Sequence, residues 1–453
     1  MKLTTTLGNY TYTFASVTEV LAKASEQKSG DSLAGIGATS KRERVAAKEV
    51  LSNLTVADLR NHPAVPYEED TITAIIQDDI DEEIYNHVKN WSISELREWI
   101  LATEDGAKIL EVSKGLTSEV IAATAKLMGN LDLMYASEKL HITATCNTTI
   151  GGTNVFASRL QPNHPIDDAK GVTASTLEGL SYGLGDAVLG LNPAIDTLDS
   201  TVNIWNMLGE IRDKYEIPTQ TCVLSHVTTQ MKALQTGAKA DLCFQSIAGS
   251  QKALESFGVT VAMLEEANAM FLDRGSAKGR NVMYFETGQG SELSSGAHYG
   301  ADQGVMENRC YGLARHFHPF LVNTVVGFMG PEYVYDTKEL LRAGLEDVYC
   351  GHMHGLPMGC DCCYTNHMPT DQNDIESLVV MLASAGCHYV MGLPQGDDVM
   401  LMYQSTGYHD VAAVRQMLNK NPIPEFEQWL AKWKIWNQGR PGKNFGDPTI
   451  FLA

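Results

Sequence analysis

NVMYFETGQ, residues 281–289, is a short apolar run that stops at a carboxylate, a hydroxyl and a glycine. Val, Met, Tyr and Phe in succession suit a strand buried in a core, and the polar finish marks where the chain leaves it. Seven further runs follow the same rule: VFASRLQ (155–161), DAVLGLN (186–192), TQTCVLSH (219–226), LCFQSIAG (242–249), FLVNTVVG (320–327), Leu356–Cys362 and HYVMGLPQG (388–396). The segments between them, among them TVNIWNMLGEIRDKY, TVAMLEEANAMFLD and DIESLVVMLASAG, have helical periodicity. Eight strands alternating with helices over roughly 250 residues is what a (β/α)8 barrel requires. The rival is a doubly wound open sheet. It needs fewer strands, and no G-x-G-x-x-G follows the first one.

Upstream of the barrel the chain reads as helical. The S-x-x-E pairs Ser16/Glu19, Ser40/Glu43 and Ser92/Glu95 each precede an amphipathic run. Another helix fits Thr117 to Met128, with Gly129 placed to end it. AGIGATSK is no phosphate loop, lacking G-x-x-x-x-G-K-[ST], and reads as a turn into the helix capped by Ser40. The expected α/β organisation is a helical region over 1–150, a barrel over 151–410 and a helical tail over 411–453. In that tail Trp429, Trp433 and Trp436 share one face of a possible helix, a packing stripe.

The composition is that of a globular enzyme, with 44% hydrophobic and 20% charged residues. A formal charge of −21 repels phosphate backbones, which argues against nucleic acid as a partner. No run of eighteen apolar residues and no signal-peptide core occurs, so the expectation is a cytoplasmic protein off the membrane. The nine cysteines, odd in number and clustered late, read as reduced thiols.

In a barrel the chemistry sits where the strands end. The polar residues there are Arg159, Gln161, Asn192, His226, Gln245, Ser246, Glu286, Asn323, Asp361, Asp397 and Asp398. Among them two carboxylates, Glu286 and Asp361, face one guanidinium, Arg159, with two amides beside them, a set that suits a small cation bearing a hydroxyl. A structural Arg–Glu pair closing the barrel top is the plainer alternative. Asp397 and Asp398 fit a ligand's amides and a solvated loop equally well.

CGHMHGLPMGCDCCYTNH, residues 350–367, holds four cysteines and three histidines and raises the question of a metal. His352 and His354, with His226 and Asp397, would serve a metal-dependent barrel hydrolase. They precede the end of the seventh strand, and no neighbouring strand end completes the set. If the chain is extended at Asp361, alternation turns Cys360 and Cys362 away from whatever Asp361 faces. His316 and His318 precede the sixth strand, on the face where barrels keep structural residues. A non-catalytic scaffold subunit is a further alternative, one that leaves the polar strand ends unexplained.

FASRLQPN, GDAVLGLNP, FQSIAGS, YFETGQGS, NTVVGFMGPEY, MGCDCCYTNH and GDDVMLMYQ closely resemble the heavy chains of the ethanolamine ammonia-lyase family. The likeness runs from MKLTTTL to the end, through VAAKEVLS, NWSISELRE and KGLTSEV. It implies a (β/α)8 barrel and adenosylcobalamin-dependent radical deamination of 2-aminoethanol to acetaldehyde and ammonia. It also implies a separate light chain, a heavy-chain oligomer within a larger heavy–light assembly, and a place in the cytoplasm or a bacterial microcompartment.

Carried over by motif, Arg159, Gln161, Asn192, Glu286 and Asp361 become the substrate-binding set. Glu286 would bridge the hydroxyl and amino ends, Arg159 with Asn192 would hold the hydroxyl, and Gln161 with Asp361 the amine. Pro193, Gln245, Phe257, Ser294 and Met400 match positions that contact the cofactor. None of the thirteen histidines lies in a D-x-H-x-x-G frame, so the cofactor is expected to keep its own lower base.

Overall fold

All eight runs form strands. In the computed structural model, which describes residues 1–452, they are β1 (Ala157–Leu160), β2 (Val188–Leu191), β3 (Thr221–Val223), β4 (Cys243–Ser246), β5 (Met283–Thr287), β6 (Leu321–Val325), β7 (Met358–Asp361) and β8 (Tyr389–Gly392). Every paired neighbour is parallel, in the spatial order β3-β2-β1-β8-β7-β6-β5-β4. At the seam between β3 and β4 the Leu242 N–H donates to the Thr221 carbonyl at 3.3 Å, which brings the sheet round into a barrel. The fold is α/β with the topology of a (β/α)8 barrel.

Side chains fill its interior, and two glycines make room for the largest. A Cβ at Gly359 on β7 would lie 2.3 Å from the Tyr389 ring, and one at Gly190 on β2 would lie 2.9 Å from Nε of Arg159. Only glycine admits both side chains to the lumen.

Helices follow the strands, including Ala169–Ser181, Leu198–Lys214, Val227–Gln235, Val261–Arg274, Gln303–His316, Thr337–Met353, Gln372–Ser384 and Tyr408–Met417. The last of these runs through residue 410, where the sequence places a domain break. No helix of the described residues is long and apolar enough to cross a membrane.

Short helices dominate from Val17 to Glu138. Ser16, Ser40 and Ser92 each accept the N–H of the glutamate three residues on. Only Ser92/Glu95 closes the reciprocal box; Glu19 and Glu43 reach one residue further back, to the N–H of Ala15 and of Thr39. Two features differ from expectation. Thr4–Leu7 and Tyr10–Thr13 pair as an antiparallel hairpin ahead of the first helix. Gly129 does not close the helix Ser118–Lys126 in a left-handed turn. It is extended and starts Asn130–Glu138, its N–H held by Asp132 at 3.1 Å.

This region grips two barrel helices through buried ion pairs. Arg309 reaches Glu119 at 2.7 Å and Asp70 at 3.2 Å, Lys126 reaches Asp302 at 2.6 Å, and Lys28 reaches Glu346 at 2.6 Å. Gln303–His316 and Thr337–Met353 are consequently buried along nearly their whole length. Removing one partner of such a pair strands the other charge, at a cost of about 3–5 kcal/mol.

Trp429 lies in the helix Pro424–Lys432, which Trp433 caps, and Trp436 falls in a short ribbon with Arg440–Pro441, beyond the expected helix. Packing is still their role: Trp433 and Trp429 close on Phe451 at 4.9 and 6.1 Å between ring centroids.

At the other end of the chain's path over the barrel, Tyr364–Thr365, Tyr403–Gln404 and Asp397–Asp398 form a small antiparallel sheet. It ties the loop after β7 to the loop after β8, over the C-terminal end of the strands.

Candidate active site

On β5, Tyr284 and Glu286 are two residues apart and share the inward face, while Phe285 points out to Phe317 with ring centroids 5.5 Å apart. Register then sets their neighbours. Glu286 lies opposite Asn323 on β6 and Ser246 on β4. On β1, Arg159 points into the same space and is only 1% exposed.

These side chains form one network. Arg159 Nη1 donates to the Tyr284 hydroxyl and to Glu286 Oε1, each at 2.9 Å, and Nη2 donates to Asn192 Oδ1 at 2.6 Å. Oε1 of Glu286 also accepts from the Tyr284 hydroxyl at 3.2 Å and from Asn323 Nδ2 at 3.3 Å. No hydrogen bond among the described residues reaches Oε2. Burial works against the Arg159 charge, and Tyr284 and Glu286 beside it more than restore it. Burial also pushes the Tyr284 hydroxyl far above its ordinary value, so it remains a neutral phenol.

Asp361 ends β7, and its carboxylate takes the Tyr403 hydroxyl on Oδ2 at 2.7 Å and the Ser405 hydroxyl on Oδ1. Burial raises its carboxyl to about 6; the Ser405 and Tyr403 donors pull the other way, Glu286 adds to the rise, and Arg159 opposes it. Gln161 lies behind, donating through Nε2 to Asp398 at 2.7 Å and to Tyr403 at 3.3 Å, with its buried Oε1 unpartnered.

A cavity of about 420 Å³ opens over these groups. Arg159, Asn192, Glu286 and Asp361 line it, with Ser246, Phe257, Ser294, Phe328, Leu401 and Tyr403 among the others. Two of the five residues matched to cofactor contacts, Phe257 and Ser294, are in that lining; Pro193, Gln245 and Met400 are not. Phe244 and Ser246 take the inward face of β4, which turns Gln245 outward. Its Oε1 accepts the Val227 N–H at 2.9 Å. Met400 gives its N–H to Asp398 Oδ1 at 3.0 Å. Asp398 is buried and holds Gln161, Asn163 and the Met400 and Leu401 N–H groups, whereas Asp397 is exposed.

Cys360 and Cys362 flank Asp361 as alternation requires, whereas Cys363 shares its parity but lies past the end of β7. Asp361 faces the cavity, while Cys360, Cys362 and Cys363 are buried outside its lining. Burial, then Cys362 beside it, pushes the Cys360 thiol well up.

His352 and His354 close the helix Thr337–Met353, at the end of the barrel where strands begin, and not on a strand. His352 contacts Ser137 Oγ at 2.8 Å and His388 at 3.1 Å; His354 contacts Ser118 Oγ at 3.0 Å and the Cys350 carbonyl at 2.7 Å. Burial lowers all three rings, His354 to about 3 and His388 to about 4, so they are neutral struts between the barrel and the N-terminal helices. Among the described residues no three His, Cys, Asp or Glu side chains gather as a metal site. A larger cleft, about 1050 Å³, lies at this same end and includes Asp79, Arg315, His316, His318 and His354. His316 is occupied there by Asp79 at 2.6 Å. Strand-end chemistry belongs to the smaller cavity.

Tyr284, Tyr403 and Ser405 are site residues that the sequence reading passes over. Tyr284 reads as core in an apolar run, though its spacing of two from Glu286 is a signal.

Residues 12–444 match the family described as Ethanolamine ammonia lyase large subunit (EutB). The ethanolamine ammonia-lyase large subunit of Escherichia coli is 54% identical over 453 residues, covering all of both chains. That of Salmonella typhimurium is 55% identical over the same span, again with full coverage of both.

Proposed function

The chain belongs to the ethanolamine ammonia-lyase large-subunit family and is a carbon–nitrogen lyase; from that premise we propose that it deaminates 2-aminoethanol to acetaldehyde and ammonia with adenosylcobalamin, as the catalytic chain of a heavy–light assembly. The observation that carries this reading is the Arg159–Glu286 pair at the barrel mouth. Glu286 spends Oε1 on Arg159, Tyr284 and Asn323 and keeps Oε2 free of protein partners among the described residues.

A substrate with a hydroxyl at one end and an ammonium at the other has a partner for each. Arg159 and Asn192 take the hydroxyl oxygen, and the charged fork of Arg159 polarises it. Glu286 Oε2 bridges the hydroxyl proton and the ammonium. Asp361 takes the ammonium from the cavity wall, and Gln161, outside the lining, would turn its unpartnered Oε1 to it from behind. The bonds among Arg159, Tyr284, Glu286 and Asn192 fix these dipoles before substrate arrives, so charge that shifts during migration of the amino group meets a cage already oriented.

The mouth suits a large cofactor. Its cavity has the volume of a substrate and part of a bigger ligand. Around it, on loops that follow the strands, Ile166, Ile195, Phe328, Val399 and Met402 are exposed. Bare apolar side chains on these loops would suit one face of a broad ring that a second chain covers from the other side. When bound, adenosylcobalamin supplies the radical chemistry that takes a hydrogen from the hydroxyl-bearing carbon and returns it. Phe257 and Ser294 would contact it from within the cavity. Pro193 and Met400, half-buried outside the lining, would meet it beyond the rim, whereas the Gln245 side chain is turned outward and held by the Val227 N–H. The cofactor would keep its own lower base, since none of the thirteen histidines lies in a D-x-H-x-x-G frame. Hyperfine coupling from ¹⁵N-labelled protein histidine in the paramagnetic resonance spectrum would contradict that point.

The small subunit is the implied partner, alongside further heavy chains, in the cytoplasm or a microcompartment. Co-expression with a small subunit, followed by assay of acetaldehyde release with and without adenosylcobalamin, tests the reading. Release that needs both additions supports it, and no release under any combination overturns it.

A further inference from the structure

One surface loop reaches back over the mouth and engages both oxygens of Asp361. The chain leaves β8 at Gly392, pairs Asp397–Asp398 with Tyr403–Gln404, and enters the helix Tyr408–Met417. Asp398 pins the turn between, accepting the N–H of Met400 at 3.0 Å and of Leu401 at 2.7 Å. This directs Tyr403 and Ser405 inward, where they are 3% and 0% exposed. The Tyr403 ring packs edge-on against Phe328 at 5.8 Å between centroids. Its hydroxyl donates to Asp361 Oδ2 at 2.7 Å and accepts from Gln161 Nε2 at 3.3 Å, so it touches both residues assigned to the amine.

We propose that Tyr403, assisted by Ser405, is a positioning residue for the amine end of the substrate, whose hydroxyl keeps Asp361 an oriented carboxylate. The proposal rests on the assignment of Asp361 to the substrate ammonium. A buried carboxyl prefers its neutral form, and a neutral Asp361 is a poor partner for a cation. Among the groups facing Asp361, Glu286 favours the neutral form and Arg159 the charged one, while Cys363 and Tyr403 are themselves kept protonated by burial. Asp398 is spent on Gln161, Asn163 and the loop N–H groups. Because burial holds Tyr403 in its phenol form, it donates across the working pH range.

Tyr403→Phe removes the hydroxyl and keeps the ring against Phe328. A hydrogen bond to a charged acceptor is worth about one pH unit to that group. In the heavy–light holoenzyme, the acid limb of kcat/KM should move up by about one unit, with KM for 2-aminoethanol near neutrality raised several-fold. At saturating substrate and alkaline pH, kcat should stay within about twofold, as expected for loss of ground-state binding. Calorimetric affinity of the assembly for 2-aminoethanol, measured against pH, should shift in parallel without turnover. Ser405→Ala should move the limb in the same direction, and Asp361→Asn should abolish it. A limb that stays in place in Tyr403→Phe, while Asp361→Asn weakens binding, overturns the role of Tyr403 alone. Unchanged binding at every pH in Asp361→Asn overturns the assignment of Asp361 and the proposal with it.

Discussion

The two halves of the site are built differently. Arg159, Tyr284, Glu286 and Asn323 stand on barrel strands, with Asn192 one residue beyond β2, and four parallel ladders fix their spacing. Gly190 gives the Arg159 stem its path across β2. The other half is Asp361 and Gln161, and its hydrogen-bonding partners arrive on the loop after β8, 42 and 44 residues beyond Asp361 and 237 beyond Gln161. A barrel strand cannot move without its neighbours, whereas a loop can be adjusted without disturbing the core. The strand half therefore suits the step in which charge shifts, and the loop half suits recognition of the ammonium.

The largest expected effect falls on the strand half. Glu286→Gln keeps the shape, removes the charge and leaves Arg159 buried without its carboxylate. Acetaldehyde release should fall by about a thousandfold, most of it in kcat. Arg159→Lys comes next: it keeps the charge but cannot serve Tyr284, Glu286 and Asn192 from one rigid fork. A drop of roughly a hundredfold in kcat with a smaller change in KM is expected, and a normal rate would remove Arg159 from the chemistry.

Asp361→Asn should act on KM more than on kcat, by about tenfold. It also carries a stability signature. Asp361 has a folded-state value near 6, above its unfolded one, so the native state binds the proton more tightly. The contribution of Asp361 to parent stability should consequently fall as pH rises between about 4 and about 6 and then level off. The Asn variant, with nothing to ionise, should melt higher than the parent above about pH 6, and the gap should close below about pH 4. Thermal melts across that range read the sign directly. The smallest effect is expected at Cys360 and Cys362. Their replacement by alanine should cost about 1 kcal/mol of stability and leave turnover within about twofold; a larger loss of turnover would mean the thiols reach the site.

What the sequence reveals follows the same division. A polar residue that interrupts an apolar run is conspicuous, so Arg159, Asn192, Glu286 and Asp361 can be read from strand ends. Tyr284 is hidden because an aromatic in a strand reads as core. Tyr403 and Ser405 are hidden because only the fold returns their loop to β7. The N-terminal hairpin has no apolar alternation to betray it: both faces of TTTL and YTYT are largely exposed or half-buried, and the turn at Gly8–Asn9 is its one local mark. Gly129 misleads because a glycine after a helical run fits a helix end, while Asp132 recruits it to begin the next helix. His352 and His354 mimic a ligand pair on paper, and their spacing places them at a helix end among serines.

The most direct test sets the halves side by side in the reconstituted heavy–light enzyme with adenosylcobalamin, measuring kcat and KM for 2-aminoethanol in Glu286→Gln and Asp361→Asn. The first should lose kcat by orders of magnitude and the second should chiefly raise KM. A Glu286→Gln enzyme that turns over at the parent rate, or an Asp361→Asn enzyme that loses kcat alone, would contradict this division.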